Sequence, residues 1–472
     1  MTQDMTQATT PTQHAPLSPS YQAPRIVTAI PGPQSTHYLK LQKEEESGAV
    51  SYPRKLTFAI KAARGSFIED VDGNVYLDCL TGAGVMPLGH NHPRVIEAAK
   101  KQLDTFTQGL DFPTRIKTEF RQAQLSMLPD AIREQMLVHF CGPTGSDAVE
   151  AAIKLCKLYT GRDEIISFQG GYHGASHATM ALTGLRTVKE SIGNVMPGVH
   201  FFPYSNCNAC PLGLRKESCE TNCATYLERS LLDPNSGIKK PAAVIMELVQ
   251  GEGGAIPAQK AFVQRIRAIT RELDIPLIID EVQTGCGRTG TWFAFEQYDI
   301  EPDIILAAKA LSGIGSPVSL MMYNKRLDVW KPGAHIGTFR GNQIAFAAGV
   351  ETIKIIQEDG ILENVNEVGQ YLIEKLREIA ARRAAVADVR GLGFMLGVEI
   401  CDPLTKRPSY PIASQIQKYC LHHGLIVELG GRDDVVVRLL PPLNLSLNEA
   451  NIVLQILDDA LAQVSSPSAP AI

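Results

Sequence analysis

No run of apolar residues in this 472-residue chain reaches the length needed to cross a bilayer. The opening stretch, MTQDMTQATTPTQHAPLSPSYQAP, lacks the basic segment and apolar core of a secretory signal, and the arginines of a transit peptide. Its Thr, Gln and Pro content predicts a disordered tail over 1–36, with a second short tail over 466–472. Charge of one sign is also missing. The 45 Lys and Arg against 50 Asp and Glu leave a net charge of -5, so no nucleic acid and no membrane surface is expected as a partner. Ten cysteines in so long a chain do not make a disulfide scaffold, and they fit a reducing, cytoplasmic compartment. No internal repeat is visible. No Gly-Lys-Ser/Thr closes a Walker A loop.

What is present suits a soluble globular protein with more than one core: 44% hydrophobic and 20% charged residues. GSFIEDVDGNVYLDCLTG reads as a β-hairpin about the Asp72-Gly73 turn. From about residue 100 strands and helices alternate. MLVHFCG, EIISFQGG, AAVIMELV, PLIIDEV and DIILAAKAL are strand-like. SDAVEAAIKLCKLYTG is a helix ending at Gly161, and AFVQRIRAITRELD has apolar residues at helical spacing. This βαβ pattern predicts an α/β fold with a mostly parallel sheet. Near residue 345 the character changes. A long amphipathic helix, the strands VADVRGLGFMLGVEI and VVVRLLPPLNLS, and a closing helix predict a smaller α+β domain. The expected division is 37–100 as an N-terminal segment joining the small domain, 101–345 as the large domain and 346–465 as the C-terminal small domain.

Three stretches carry chemistry. In CGPTGSDAVEAA a strand gives way to a Gly-rich turn and a helix, so Thr144, Gly145 and Ser146 sit where an anion is held, or where a helix is merely capped. In PLIIDEVQTGCGRTG, Asp280 and Glu281 close a predicted parallel strand, the edge at which open α/β sheets bind ligands. A carboxylate there pairs with a cationic ring nitrogen or a metal, or is simply solvated. In DIILAAKALSGIGSP, Lys309 lies in an apolar run. Such a lysine either snorkels to solvent or is made nucleophilic by its surroundings. A phosphate cradle, a carboxylate for a ring nitrogen and a lysine for an aldehyde converge on pyridoxal 5'-phosphate.

IIDEVQTGCGRTG, EPDIILAAKAL and GTFRGNQIA together resemble the signature of class III aminotransferases of the ornithine/4-aminobutyrate type. The resemblance runs from about residue 38 to 463. It implies a pyridoxal-phosphate transferase of fold type I, a homodimer or dimer of dimers, and ping-pong transfer of an amino group. By motif, Lys309 is the Schiff-base lysine and moves the proton, and Asp280 holds the ring nitrogen. Gln283 lies near the ring hydroxyl, and Gly145 and Ser146 take the phosphate. Tyr172 stacks on the ring, with His173 beside it in the cofactor set. Thr338 resembles the residue that reaches the neighbouring subunit's phosphate. Arg438, for which a structural ion pair is the lesser alternative, resembles the arginine for the α-carboxylate of 2-oxoglutarate or glutamate. Glu252 resembles the glutamate that masks it when an amine donor is bound.

SYPRKL, CGPTGSDAVEAAIKL, MPGVHF and RLLPPL further resemble the diaminobutyrate–2-oxoglutarate aminotransferases. These convert L-2,4-diaminobutyrate and 2-oxoglutarate into L-aspartate 4-semialdehyde and L-glutamate. Ornithine and 4-aminobutyrate enzymes typically carry an arginine where this chain has Ala175. Tyr52 and Arg54 are candidates for holding the donor's carboxylate instead. Other donors (ornithine, lysine, 4-aminobutyrate, β-alanine) and amino-acid epimerisation are the alternatives. The loop after Lys309, SGIGSP, departs from the subgroup's glycine-rich pattern and is expected to shape the pocket. Finally, Cys207, Cys210, Cys219 and Cys223 form C-x2-C and C-x3-C pairs, a spacing suited to a structural zinc or to free or redox-sensitive thiols.

Overall fold

The computed structural model of the protein describes residues 21–464. Its centre is a seven-stranded sheet of β1 (Met136–Gly142), β2 (Ile165–Phe168), β3 (Val199–Phe202), β4 (Ala243–Met246), β5 (Leu277–Asp280), β6 (Ile304–Ala307) and β7 (Ser319–Asn324). The spatial order is β1-β7-β6-β5-β4-β2-β3. β7 runs antiparallel to both of its neighbours, and every other pairing is parallel. The middle strands are fully buried, which is why they read as continuous apolar runs rather than alternating ones. Helix α1 (Gly145–Thr160) follows β1 and ends on Gly161 at φ +67, as the Gly signal predicts. Helix α2 (Lys260–Glu272) leads into β5 and buries Phe262, Val263, Ile266 and Ile269.

Helices α3 (Gln343–Glu358) and α4 (Ile361–Arg382) lead out of this layer. A four-stranded sheet follows, built from β8 (Val386–Leu392), β9 (Met395–Ile400), β10 (Glu428–Gly430) and β11 (Val436–Leu439), in the order β8-β9-β11-β10. Helix α5 (Leu447–Val464) closes the described chain. The N-terminal hairpin forms as expected, Phe67–Asp70 pairing antiparallel with Val75–Asp78. It joins the C-terminal half through Leu425–Ile426, parallel to Leu77 and Asp78.

The expected tails need separating. Residues 1–20 and 466–472 lie outside the described residues, but 21–36 is ordered, and there the expectation fails. The Arg25 N–H donates to the Val75 carbonyl at 2.9 Å, and the Asn74 side chain accepts from the N–H groups of Val27 and Thr28. The Asp72 carboxylate accepts from the N–H groups of Gln34 and Ser35 at 2.8 Å, at the N-terminus of the helix Pro33–Glu45. Composition predicts disorder here because the partners lie about 40 residues away, in the hairpin turn.

Candidate active site

The site is assembled at one edge of the large sheet. β1, β2, β4, β5 and β6 run the same way, and their C-terminal ends deliver Gly145 and Ser146, Tyr172 and His173, Glu247, Asp280, and Lys309 in turn. All of these line a cavity of about 190 Å³, with Thr144, Gly174, Glu252, Val282 and Gln283. This is where an open α/β sheet binds its ligand.

Lys309 is not on a strand. β6 stops at Ala307, and Lys309 opens a short 3-10 turn, Lys309–Ser312, with φ +47. A non-glycine residue in that region is strained, and such strain persists where the surroundings dictate it. Burial pulls the Lys309 ammonium below its ordinary pKa. Glu252, Asp280 and Glu428 oppose that pull, and Arg438 adds to it.

Asp280 closes β5 and is buried. Its Oδ2 lies 2.7 Å from His173 Nδ1, and its Oδ1 accepts from the Val282 N–H at 3.1 Å. Burial alone would lower the His173 imidazole, but the hydrogen bond and charge of Asp280 outweigh it, so His173 titrates above its usual value. The adjacent Glu281 does something else. Its carboxylate accepts from the N–H groups of Ala294 and Phe295 at 3.0 Å and from the Thr284 hydroxyl, and it is absent from the cavity wall. Gln283 is in the wall, with its amide oxygen buried and without a hydrogen-bond partner.

At the helix end, Thr144 caps α1 and is tied to Asp147, whose carboxylate accepts from both the N–H and the hydroxyl of Thr144. Gly145 has no room for a side chain, since a Cβ there would lie 2.9 Å from Val282. Glu247 is a residue the sequence reading passed over. Its oxygens accept from the N–H groups of Tyr172 at 2.8 Å and Gly251 at 3.0 Å, fixing the loop that carries Tyr172 and His173. Burial raises its carboxyl to about 7, with Asp280 adding to the rise and His173 and the two N–H groups opposing it. The available signal was a single Glu ending an otherwise apolar strand.

Beyond Lys309 lies an ion cluster. Nη1 and Nη2 of Arg438 donate to the Glu252 carboxylate at 3.0 Å. Arg438 is only 2% exposed. Glu428, also unforeseen, has a carboxylate oxygen 2.5 Å from Arg438 Nη2. Burial, and then the charges of Glu428 and Glu252, hold the Tyr52 hydroxyl above its ordinary pKa, so Tyr52 lies beside the cluster.

Three of the expected site features lie outside this cavity. Arg54 does not reach the site: its guanidinium donates to the carbonyls of Gly48 and Val50, closing its own turn. Thr338 does not line its own chain's Lys309 cavity, as a residue expected to reach a neighbouring subunit's phosphate need not. It opens the turn Thr338–Gly341 and borders a separate recess with Leu110, Phe112 and Ile336. The SGIGSP loop is not in the cavity wall either. Ile314 packs into the core of the C-terminal half, and the Asn342 side chain donates to the Ser316 hydroxyl and the Pro317 carbonyl.

The zinc expectation is not supported. Cys207, Cys210, Cys219 and Cys223 do border one small cavity of about 20 Å³ with Leu212 and Leu214. Yet all four are free thiols, and among the described residues no group of three or more His, Cys, Asp or Glu is arranged to hold a metal. Burial pushes the Cys223 thiol up to about 11, and Cys207 upward as well, so both rest as protonated thiols.

Comparison with known proteins agrees with this geometry. The family model for class-III aminotransferases matches residues 49–461. A diaminobutyrate–2-oxoglutarate aminotransferase from Rhizobium meliloti (strain 1021) is 47% identical over 418 residues, 87% of this chain and 89% of that protein. One from Haemophilus influenzae is 43% identical over 422 residues, 88% of this chain and 92% of that protein. Among solved structures, an amine transaminase from an uncultivated Pseudomonas species, in PLP-bound form, superposes with a TM-score of 0.80 at 27% identity, covering 89% of this chain and 98% of its own.

Proposed function

We propose that this chain, which belongs to the class-III aminotransferases, moves the terminal amino group of L-2,4-diaminobutyrate to 2-oxoglutarate, giving L-aspartate 4-semialdehyde and L-glutamate. The observation that carries this reading is a half-buried Lys309 sharing one cavity with Asp280 and with Glu252, whose carboxylate is held by Arg438. Relatives sharing 47% and 43% identity bear the name of that activity.

The family's cofactor, pyridoxal 5'-phosphate, fits the residues present. The unpartnered Gln283 oxygen has a buried polar position to fill, the crowded Gly145 leaves backbone N–H groups of the α1 N-terminus bare, and Asp280 faces the same cavity. Gly145 and Ser146 would hold its phosphate, Asp280 its ring nitrogen, Gln283 its ring hydroxyl and Tyr172 its face. When bound, it supplies an aldehyde that takes the amine and a cationic ring that acidifies the adjoining C–H bond. Lys309 Nζ is the base for that C–H proton, and its lowered pKa leaves a larger neutral fraction for the task. His173 keeps Asp280 oriented. The Glu252 carboxylate covers Arg438 while an amine donor is present. Once displaced, it frees the guanidinium for the α-carboxylate of 2-oxoglutarate, a bidentate pairing to which arginine is suited.

The same reading makes the enzyme a cytoplasmic homodimer. It divides the chain into a large domain over 101–345 and a small domain from 346 onward that 37–100 joins. A shared core holding Leu77, Val95, Val365 and Val398 supports that joining.

The test is glutamate formation from 2-oxoglutarate across a panel of diamino and ω-amino acids. Diaminobutyrate should be the best donor, and Lys309→Ala should abolish turnover. Turnover of another donor with none of diaminobutyrate would overturn the substrate assignment. Epimerisation without any keto acid would overturn the reaction.

A further inference from the structure

Arg438 carries two carboxylates, and the transfer reaction as described uses only one of them. Glu428 and Arg438 are direct cross-strand neighbours in β10 and β11. Glu428 Oε2 lies 2.5 Å from Arg438 Nη2, while Glu252 grips the same guanidinium through both terminal nitrogens. Burial pushes the Glu428 carboxyl above its ordinary pKa and the charge of Arg438 pulls it back; with Glu428 ionised, one buried cation faces two carboxylates, an excess of one negative charge. The two acids are not equivalent. The Glu252 side chain is 29% exposed and lines the Lys309 cavity; that of Glu428 is 12% exposed and does not.

The candidate donors differ at the end remote from the reacting amine. Diaminobutyrate presents an ammonium and a carboxylate there. 4-Aminobutyrate, the same skeleton without the α-amine, presents a carboxylate alone. A wall with excess negative charge favours the first and repels the second.

We propose that Glu428 is a positioning residue for donor choice: it neutralises Arg438 on the strand side, so that Glu252 faces the cavity with uncompensated charge and receives the α-ammonium of a diamino acid. The inference rests on the diaminobutyrate reading above. It does not need Glu428 to touch substrate. It needs only that the charges interact through protein rather than water, where Coulomb attraction is several-fold stronger. With Glu428 neutral, the charge of Glu252 is spent on Arg438 and the distal wall loses its preference.

The experiment is Glu428→Gln in the holoenzyme, with steady-state kcat/KM for diaminobutyrate, 4-aminobutyrate and 2-oxoglutarate. The preference for diaminobutyrate over 4-aminobutyrate should fall roughly ten- to hundredfold. The 2-oxoglutarate value should not fall, because removing a negative charge beside Arg438 does not weaken its attraction for a dianion. Glu428→Asp, which keeps the charge, should restore most of the preference. If Glu428 merely buttresses Arg438, 2-oxoglutarate will suffer while the donor ratio stays put, and the inference is overturned. A wild-type enzyme that favours 4-aminobutyrate would overturn the donor reading together with the inference. A wild type that favours diaminobutyrate, with a Gln variant that keeps that preference, would overturn the inference alone.

Discussion

Asp280 and Glu281 are consecutive carboxylates at one strand end, and a one-residue difference in facing gives them unrelated tasks. Asp280 points into the cavity with His173 as partner. Replacing it by Asn removes the charge while keeping the shape, and should lower kcat for glutamate formation by roughly 100-fold or more, measured at saturating substrates. Glu281 is structural, and its consequence is a pH dependence. Burial raises its folded pKa from 4.5 to about 7. Between those values the folded state holds a proton that the unfolded state has released. The contribution to stability is thus full below pH 4.5 and is lost as pH rises through 7. Against Glu281→Gln, which cannot ionise, wild type should lose about 3 kcal/mol of relative stability across that window. Denaturant melts of both proteins at pH 5 and pH 8 check it, and parallel pH profiles would contradict it.

The turn Lys309–Ser312 shows how an element positions the chemistry. It ends on Gly313 at φ +69, where an added Cβ would sit 1.9 Å from Thr352 Oγ1 on α3. Gly313→Ala should therefore cost about 2 kcal/mol or more through backbone strain and overlap. Thr352→Ala in the same chain should return part of that loss, as read by thermal melting; a neutral Gly313→Ala would show the turn to be pliable. The lysine in its apolar run and the sheet around it were legible in the sequence, because buried parallel strands leave continuous apolar stretches and their ends carry the polar exceptions. Arg438 and Glu252 were legible through motif likeness. Glu247 and Glu428 were not. Each is a single acid on a short or apolar strand, and its importance comes from partners far away in sequence: the Tyr172 N–H for Glu247, Arg438 across the sheet for Glu428. Arg54 stands apart from the cluster because its guanidinium is held by carbonyls of its own turn. The cysteine spacing suggested zinc, but spacing alone does not fix a metal-holding geometry, and none is found among the described residues.

At the scale of the molecule, Thr338 raises a question of completeness. Its likeness to a phosphate-reaching residue is good, yet it sits in a recess of about 560 Å³ apart from Lys309. Around it the surface is apolar. Phe112, Ile336 and Phe339 are 71%, 73% and 67% exposed. Arg340 in the same segment is held by Asp111 and the His335 carbonyl. Covering each of these large side chains would contribute about 1.5–3 kcal/mol. Under the homodimer proposed above, a second copy of the chain would cover this surface and bring Thr338 to a neighbouring cavity. The double variant Phe112→Asp, Ile336→Asp places two charges in that contact without touching the Lys309 cavity. Light scattering should show wild type as a dimer and the variant as a monomer with unchanged far-ultraviolet dichroism. Glutamate formation should fall at least tenfold in the variant, and a wild-type monomer with full activity would refute the shared site.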